Sequence, residues 1–315
     1  MENNQAHTTQ PLLRALSRVQ QERLSYIDFR LYFLGELRRT DMMERFGMAP
    51  AGATRDISQY RELAPCNLVL DNAKVYRPTE EFEPLFEHAP QRVLTALSQG
   101  FGEGVGDTNH ALIKCEVPAP LSQPKMAVLA PITRAIHLRK AVQIGYTSVE
   151  SGRTEREIVP VALVSNYIRW HVRAFDRKHR EFRNFVLTRI DSPKVISNGS
   201  ISPEETAEAD AQWSRIIELE LGPHPGHKRP EAIMMDYGMP DGTLRIKVRA
   251  AHAGYLLRLW FVDCSPDHSL KGPEYALWLR DSLALYGAST AKLAPGYVEP
   301  GFREQPHAGG GKLSQ

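Results

Sequence analysis

The sequence predicts an α+β multidomain protein, and three patterns carry that expectation. The N-terminal part places apolar residues at helical spacing around a glycine turn. The middle carries strand-like runs with arginines at every second position, and the remainder mixes shorter helical and strand patterns. A chain of 315 residues is too long for one ordinary core, which implies two or three domains.

Leu24, Ile27, Leu31 and Leu34 recur at helical spacing with Arg23, Arg30 and Glu36 between them, so Gln20 to Leu37 is expected as one amphipathic helix. A second helix is expected from Thr40, whose hydroxyl would cap the free N–H groups while Asp41 complements the positive end of the dipole. Met42, Met43 and Phe46 form its apolar side, and Gly47 ends it in a left-handed conformation. After the turn Gly47 to Pro50, residues Ala53, Ile57, Tyr60 and Ala64 fall on one face of a third helix, Ala51 to Ala64, stopped by Pro65. Its outward face presents Thr54, Arg55, Ser58, Gln59 and Arg61.

Helix, glycine-bearing turn and helix is the arrangement that sets a second helix into a DNA major groove, where Arg and Gln read purine edges and Ser and Thr hold phosphates. Asn67 to Asp71 and Lys74 to Arg77 are two short strand-like runs around Asn72-Ala73. A hairpin at that point is the wing of a winged helix domain, with Lys74 and Arg77 placed to meet the phosphate backbone. Residues 1–80 are therefore expected to form a winged helix-turn-helix domain that binds double-stranded DNA.

Residues 81–129 read as a helical linker. Pro84 to Ser98 is expected as a helix with Leu85, Val93, Leu94 and Leu97 apolar. Gly100 to Asp107 is glycine-dense, but no strand precedes it, no Lys-Ser or Lys-Thr follows it, and its spacing fits neither standard nucleotide loop, so a connector is the simpler account. Pro131 to Lys140 reads as a helix leading into the central strands.

Those strands hold the densest set of candidate binding residues. In Tyr167 to Asp176, strand alternation puts Arg169, His171, Arg173 and Phe175 on one face and Ile168, Trp170, Val172 and Ala174 on the other. The first face is expected as an open cationic surface and the second as core. If the turn Asp176 to Arg180 closes an antiparallel hairpin, Phe182 to Ile190 returns with Arg183 and Phe185 beside the cationic face, and Arg189 lies a little further on. The upstream strand Val142 to Ser148 brings Tyr146 and Ser148 to the same area. Converging arginines with aromatic and hydroxyl neighbours suit an anionic ligand, although a solvated sheet face carrying snorkelling arginines is the plainer reading.

Beyond residue 200, Pro203 to Leu221 is expected as a helix. Thr243 to Ala250 is expected as a strand with Ile246 and Val248 inward and Arg245, Lys247 and Arg249 outward, a solvated edge guarded by charge. His252 to Asp263 and Pro273 to Leu285 add two apolar-rich segments. His224 and His227 have no third or fourth ligand spaced to join them, so no metal is expected, and no motif calls for a cofactor. Gly301 to Gln315 reads as a frayed tail.

Composition sets the outer limits. Hydrophobic content of 42% and charged content of 24% are those of a soluble globular protein, and the net charge of +2 means that any nucleic-acid contact must come from local clusters of basic residues. Cys66, Cys115 and Cys264 are odd in number and far apart, which suits neither a disulfide framework nor a zinc site and fits a reducing compartment. Met1 to Gln10 lacks the apolar stretch of a signal peptide and no apolar run approaches membrane-spanning length. A cytoplasmic, nucleoid-associated protein with no membrane partner is expected.

The ordered set Tyr146-Thr147-Ser148, Arg156-Glu157-Ile158-Val159-Pro160, Arg169-Trp170-His171-Val172, Phe182-Arg183-Asn184-Phe185 and Arg189-Ile190 resembles a WYL domain over roughly residues 130–200. The Trp-Tyr-Leu tripeptide that names the family reads Trp170-His171-Val172 here, so a titratable ring replaces the tyrosine. The run from Phe46-Gly47 through Ala53-Thr54-Arg55-Asp56-Ile57 and Tyr60-Arg61-Glu62-Leu63-Ala64-Pro65 to Asn67-Leu68 resembles the WYL regulators of bacterial anti-phage operons, the BREX and CBASS regulators. The resemblance implies a small SH3-like or Sm-like β-barrel that senses a nucleotide or nucleic-acid ligand, and a small α/β domain over residues 201–300 used for dimer formation.

The expected function is that of a homodimeric transcriptional repressor of a phage-defence operon. Its winged domains would bind inverted half-sites, and a nucleotide or oligonucleotide effector would act through Tyr146, Ser148, Arg169, His171, Arg173, Arg183, Phe185 and Arg189. The alternative is a nucleic-acid binding module without a transcriptional role, in which the central domain itself holds single-stranded DNA or RNA. An enzyme is not expected, since the sequence holds no metal-ligand cluster, nucleophile elbow or credible nucleotide loop.

Overall fold

The computed structural model describes residues 13–101, 111–197 and 200–300, so the polar N-terminal start, most of the glycine-dense connector and the C-terminal tail lie outside the described residues. The chain divides into two compact units, Met1–Pro118 and Ala119–Gln315.

In the first unit, helix α1 (Arg18–Phe29) starts two residues before the expected Gln20 and ends well short of the expected Leu37. Ser17 caps it in a reciprocal box with Gln20, and after Phe29 the ladder widens into a π-helical turn, Arg30–Leu34, closed by Gly35 at φ +70°. Leu37 is buried for a different reason: its backbone pairs with Tyr76 as a bridge. Helix α2 (Arg39–Phe46) is capped by Asp41 reaching back to the N–H of Arg38 at 2.7 Å, while Thr40 lies inside the first turn and caps nothing. Gly47 ends α2 at φ +59°, as its position predicts.

Helix α3 (Pro50–Leu63) buries Ala53, Ile57 and Tyr60 against Leu24, Ile27, Leu31 and Met42. Strands β1 (Leu68–Leu70) and β2 (Tyr76–Pro78) form the expected antiparallel hairpin. Helix α4 (Pro90–Gln99) begins six residues after Pro84, because residues 83–88 are drawn onto the helical core by Asp28 and Asn67. It packs Val93, Ala96 and Leu97 on Phe29 and Phe33.

The second unit opens with α5 (Met126–Leu138), which begins before Pro131 and contains it, and buries Val128, Ile132 and Ala135. Five antiparallel strands follow: β3 (Val142–Ser148), β4 (Gly152–Ser165), β5 (Trp170–Asp176), β6 (Glu181–Val186) and β7 (Ile190–Val195). They pair in the order β6-β5-β4-β3-β7. Among the described residues no ladder joins β6 to β7, so the closed small barrel is not formed by this pairing. The inner face packs Val142, Ile144, Ile158, Val172, Ala174 and Phe185 against α5.

Three expectations about this sheet are overturned. The turn between β5 and β6 has four residues, 177–180, and Arg183 pairs with Ala174 while Phe185 pairs with Val172. Residues directly opposite in a ladder share a face, so Arg183 and Phe185 lie with the core residues and not with Arg173 and His171. The face of Arg173, His171 and Phe175 is itself covered: His171 is 6% exposed and Arg173 4%. At the strand's start the pattern inverts again, with Trp170 45% and Ile168 52% exposed where core was expected.

That face is covered at Arg173 by Asp210, in the segment expected as one long helix, and at His171 by Tyr255 further along the chain. Residues 203–209 form two single 3₁₀ turns, α6 is only Ala211–Ser214, and β8 (Ile216–Pro223) is a strand whose alternate residues Ile217, Leu219 and Leu221 are buried. Period-two alternation outweighed the helical propensity of the glutamates and leucines. Helix α7 (Pro230–Asp236), strand β9 (Leu244–Arg249), helix α8 (Ala253–Leu259) and the short strands β10 (Val262–Asp263) and β11 (Leu277–Leu279) complete a four-stranded sheet ordered β10-β11-β8-β9. Leu257, Leu219 and Leu279 lie in its core.

Candidate nucleic-acid interface and ligand pocket

Two groups of residues hold the predicted sites, one in each unit. On α3, the buried stripe Ala53, Ile57 and Tyr60 leaves Thr54, Arg55, Ser58 and Arg61 exposed and Gln59 half-buried, all five on the outward side. Thr54 donates its hydroxyl to the Pro50 carbonyl at 3.0 Å, and the Arg61 guanidinium lies 5.8 Å from the Tyr76 ring centroid. Arg55 makes no hydrogen bond or ion pair among the described residues, so its planar fork is free for an external acceptor.

The helix is held in place from behind by a carboxylate that sequence periodicity does not single out. Asp28, fully buried on α1, accepts from the Tyr60 hydroxyl at 2.5 Å and from the N–H groups of Leu85 and Phe86, and His88 Nε2 lies 2.8 Å away. Burial and the neighbouring Asp28 charge push the Tyr60 hydroxyl well above its ordinary range, so it stays a donor. Asp56, one residue beyond Arg55 and turned inward, pairs with Arg23 at 3.6 Å; burial raises its pKa and the arginine partly offsets this.

The wing differs from its expectation in one respect. Lys74 sits in the turn at φ +61° and is exposed, but Arg77 is already engaged, with Nη1 3.0 Å from Glu36 Oε2 and Nε 3.2 Å from Asp71 Oδ2. Asp71 also accepts from the N–H groups of Val75 and Ala73, and these bonds together with Arg77 hold its carboxyl below the usual range. Arg77 therefore braces the hairpin before it meets any phosphate.

In the second unit the register brings four of the eight predicted ligand residues to one place. Tyr146, Ser148, Arg183 and Phe185 line a pocket of about 410 Å³ at the end of the inner sheet face, where the apolar core stops. Its floor is made by residues not among the expected ligand contacts: Arg156 on β4, Asp176 at the end of β5 and His179 in the following turn. The alternation of Thr154, Arg156 and Ile158 on one strand face was the available signal. Arg156 donates from Nη1 to Asp176 Oδ2 at 3.0 Å and from Nε to Thr154 Oγ1 at 3.0 Å, and Nη1 lies 2.7 Å from His179 Nδ1. The Tyr146 and Phe185 rings meet edge to face at 5.0 Å and form an apolar wall. Lys178 and Arg183 stand at the rim, with Arg183 paired to Glu181. An arginine in the floor, already paired with Asp176, and the cations Lys178 and Arg183 at the rim stand beside an aromatic wall, a combination that suits a ligand with an anionic group and a planar apolar part.

The other four do not join them. Arg169 is exposed in the β4–β5 turn, and Arg189 is half-buried at the end of a 3₁₀ turn. Arg173 is committed: Nε and Nη2 grip Asp210 at 2.7 and 2.9 Å, a buried bidentate pair. His171 faces not a ligand but Tyr255 of α8, ring centroids 5.8 Å apart. Burial, followed by the nearby Arg169 charge, holds the His171 pKa below its ordinary value. Its neighbour His252 is pushed down to about 4 by burial and by the charges of His171, Arg173 and Arg249.

Among the described residues no helix is long and apolar enough to cross a membrane, and no group of three His, Cys, Asp or Glu side chains is placed to hold a metal ion.

Comparison with known proteins gives the same order of parts. Family models match residues 19–99 as the BrxR transcriptional regulator winged helix-turn-helix domain, 127–195 as a WYL domain and 216–285 as the BrxR transcriptional regulator C-terminal dimerization domain. The chain is similar to the DNA-binding transcriptional repressor CapW of Escherichia coli (strain KTE188), 33% identical over 267 residues that cover 81% of this chain and 86% of that protein. CapW proteins of Pseudomonas aeruginosa (32% identity, 81% and 86% coverage) and Stenotrophomonas maltophilia (30%, 76% and 82%) match over similar lengths. A solved structure, the proteasome accessory factor B/C (PafBC) of Arthrobacter aurescens, matches at 17% identity over 84% of this chain and 45% of that one, with a TM-score of 0.27. Three matched domains in one order and relatives of this identity over most of both chains place the protein in the BrxR/CapW family of winged helix–WYL transcriptional regulators.

Proposed function

We propose that this chain is a homodimeric, sequence-specific DNA-binding repressor of a phage-defence operon, modulated by a nucleotide or oligonucleotide bound in the WYL domain. The observation that carries the reading is the outward face of α3. It offers an arginine with no partner among the described residues, hydroxyl groups and an amide on a helix whose other face is locked to a core, at the position where a winged helix domain meets the major groove. The names of the CapW relatives and of the matched domains support it. Two copies joined through their C-terminal domains would present two such helices to inverted half-sites.

The effector enters the reading through the pocket of Tyr146, Arg156, His179, Arg183 and Phe185. Its anionic part would meet Arg156 and Arg183, and its base would lie against the aromatic wall. Such a ligand alters operator affinity only if it favours one arrangement of the protein over another. A gel-shift series with the DNA upstream of the gene and with unrelated duplex of equal length tests the reading. Preference for the upstream DNA that persists in Arg183→Ala and is reduced in Arg55→Ala is the expected result; equal binding to both duplexes by the unaltered protein overturns it.

A further inference from the structure

The β5–β6 turn serves two sites at once. Its Asp176, Lys178 and His179 face the pocket, while Arg177 and Arg180 face away from it onto residues 200–210. Arg177 closes a fork on Glu205, with Nε–Oε1 at 2.6 Å and Nη2–Oε2 at 2.7 Å; it also pairs with Glu157 and donates to the Ser200 carbonyl at 2.8 Å. Glu204 takes Arg180 at 2.9 Å. Four positions further up β5, Arg173 grips Asp210, whose carboxylate also accepts from the N–H groups of Gln212 and Trp213 at the start of α6.

From there the chain is tied into the C-terminal domain. Gln212 donates to the Gly287 carbonyl at 3.0 Å and accepts from Ser289 N–H at 2.8 Å, and Arg215 donates to the Tyr286 carbonyl at 2.7 Å. Pocket, turn, strap and C-terminal domain are thus tied in succession, by charge-assisted bonds of Arg177, Arg180, Arg173 and Arg215 and by neutral bonds of Gln212. At its pocket end lies a contact with two solutions. His179 Nδ1 stands 2.7 Å from both Arg156 Nη1 and Asp176 Oδ2. A ring nitrogen carrying a proton satisfies the carboxylate, and one carrying a lone pair satisfies the arginine, but it cannot satisfy both.

We infer that residues 200–215 are the strap through which the pocket controls the C-terminal domain, with the His179 contact as its two-state element. An anionic group that takes the Arg156 guanidinium leaves His179 Nδ1–H to donate to Asp176 alone. Asp176 Oδ1 also accepts from the Lys178 N–H at 3.0 Å, so this exchange resets the backbone of a four-residue turn whose next side chain, Arg177, is locked to the strap. The inference rests on reading the pocket as an anion site, and its test separates the two.

The probe is a 5′-phosphorylated single-stranded thymidine dinucleotide, and the protein is the full chain. In the unaltered protein the probe should change affinity for the upstream DNA by about fivefold or more, the usual range of site-to-site coupling. In Glu205→Gln the probe should still bind within about twofold of its original affinity, while its effect on DNA affinity falls below about twofold. Retention of the full effect in Glu205→Gln overturns the strap. Arg177→Lys, which keeps the charge and loses the fork, gives the same reading if Glu205→Gln does not fold.

Failure of the probe to bind the unaltered protein strikes the anion-site reading instead, and the strap is then judged without any ligand. Amide hydrogen exchange of residues 284–290 should change about threefold or more on His179→Gln, and not at all when His179→Gln is added to Glu205→Gln. The same change in both backgrounds overturns the strap.

Discussion

The outward face of α3 and the outer face of β5 carry similar side chains and meet opposite fates. Each sets arginine and small polar or aromatic groups at the spacing of its element, opposite an apolar stripe. On α3 the polar side stays open, and Arg55 has no internal partner among the described residues. On β5 Arg173 is buried in a bidentate pair with Asp210 and His171 is packed against Tyr255. Periodicity identifies which residues share a face, but it does not say whether another part of the chain returns to cover that face.

The sharpest way to break the comparison is Arg173→Met. A buried carboxylate stripped of its partner costs about 3–5 kcal/mol, so urea unfolding of the variant should show a loss of that order, whereas an open-surface arginine would change stability by less than about 0.5 kcal/mol. Adding Asp210→Leu should recover much of the loss, because two apolar groups then replace an orphaned charge.

The next effect is in pH. His252 has its pKa held at about 4 against an ordinary 6.5, so the folded protein keeps it neutral where the unfolded chain would bind a proton. Stability from this group is complete above about pH 6.5 and is lost as pH falls from there through about 4, at about 1.4 kcal/mol for each pH unit. Thermal midpoints measured across that window should fall less steeply in His252→Gln than in the unaltered protein. Equal slopes would mean that this side of the sheet is open to water.

The smallest effects lie on the open face and its wing. Arg55→Ala should weaken binding to the upstream duplex by about 1–3 kcal/mol, with unfolding midpoints unchanged. Arg77→Ala should cost less than that in DNA affinity and something in stability, since Arg77 is already paired with Glu36 and Asp71. Filter binding at two salt concentrations distinguishes them: if both variants reduce affinity and salt slope equally, Arg77 is as free as Arg55.

Much of the N-terminal unit was legible because its signals are local. Gly47 closing one helix, the stripe Ala53, Ile57 and Tyr60, and the hairpin around Asn72-Ala73 depend on residues close in sequence. Asp28 was not, since its acceptor role is completed by Tyr60 and by residues 85–88, far along the chain. The pocket was half legible for a related reason. Tyr146, Ser148, Arg183 and Phe185 meet, but through a ladder register set by the four-residue turn and not through the face first assigned to them. Arg156, Asp176 and His179 come from β4, the end of β5 and the turn beyond it, so no single strand pattern contains the floor they form.

By itself the sequence determined the order of the elements in the first unit, the polar face of the second helix of the helix-turn-helix pair, and the presence of an arginine-rich sheet. These follow from backbone periods of 3.6 and 2 and from glycine and proline chemistry, all of which act within a few residues. Only the tertiary structure decided that β8 is a strand, that Arg173 is an internal tie, and that Arg183 lies on the inner face of the sheet. Which side of a strand meets water depends on register and on the distant segment packed against it, and a single residue of register exchanges the two sides.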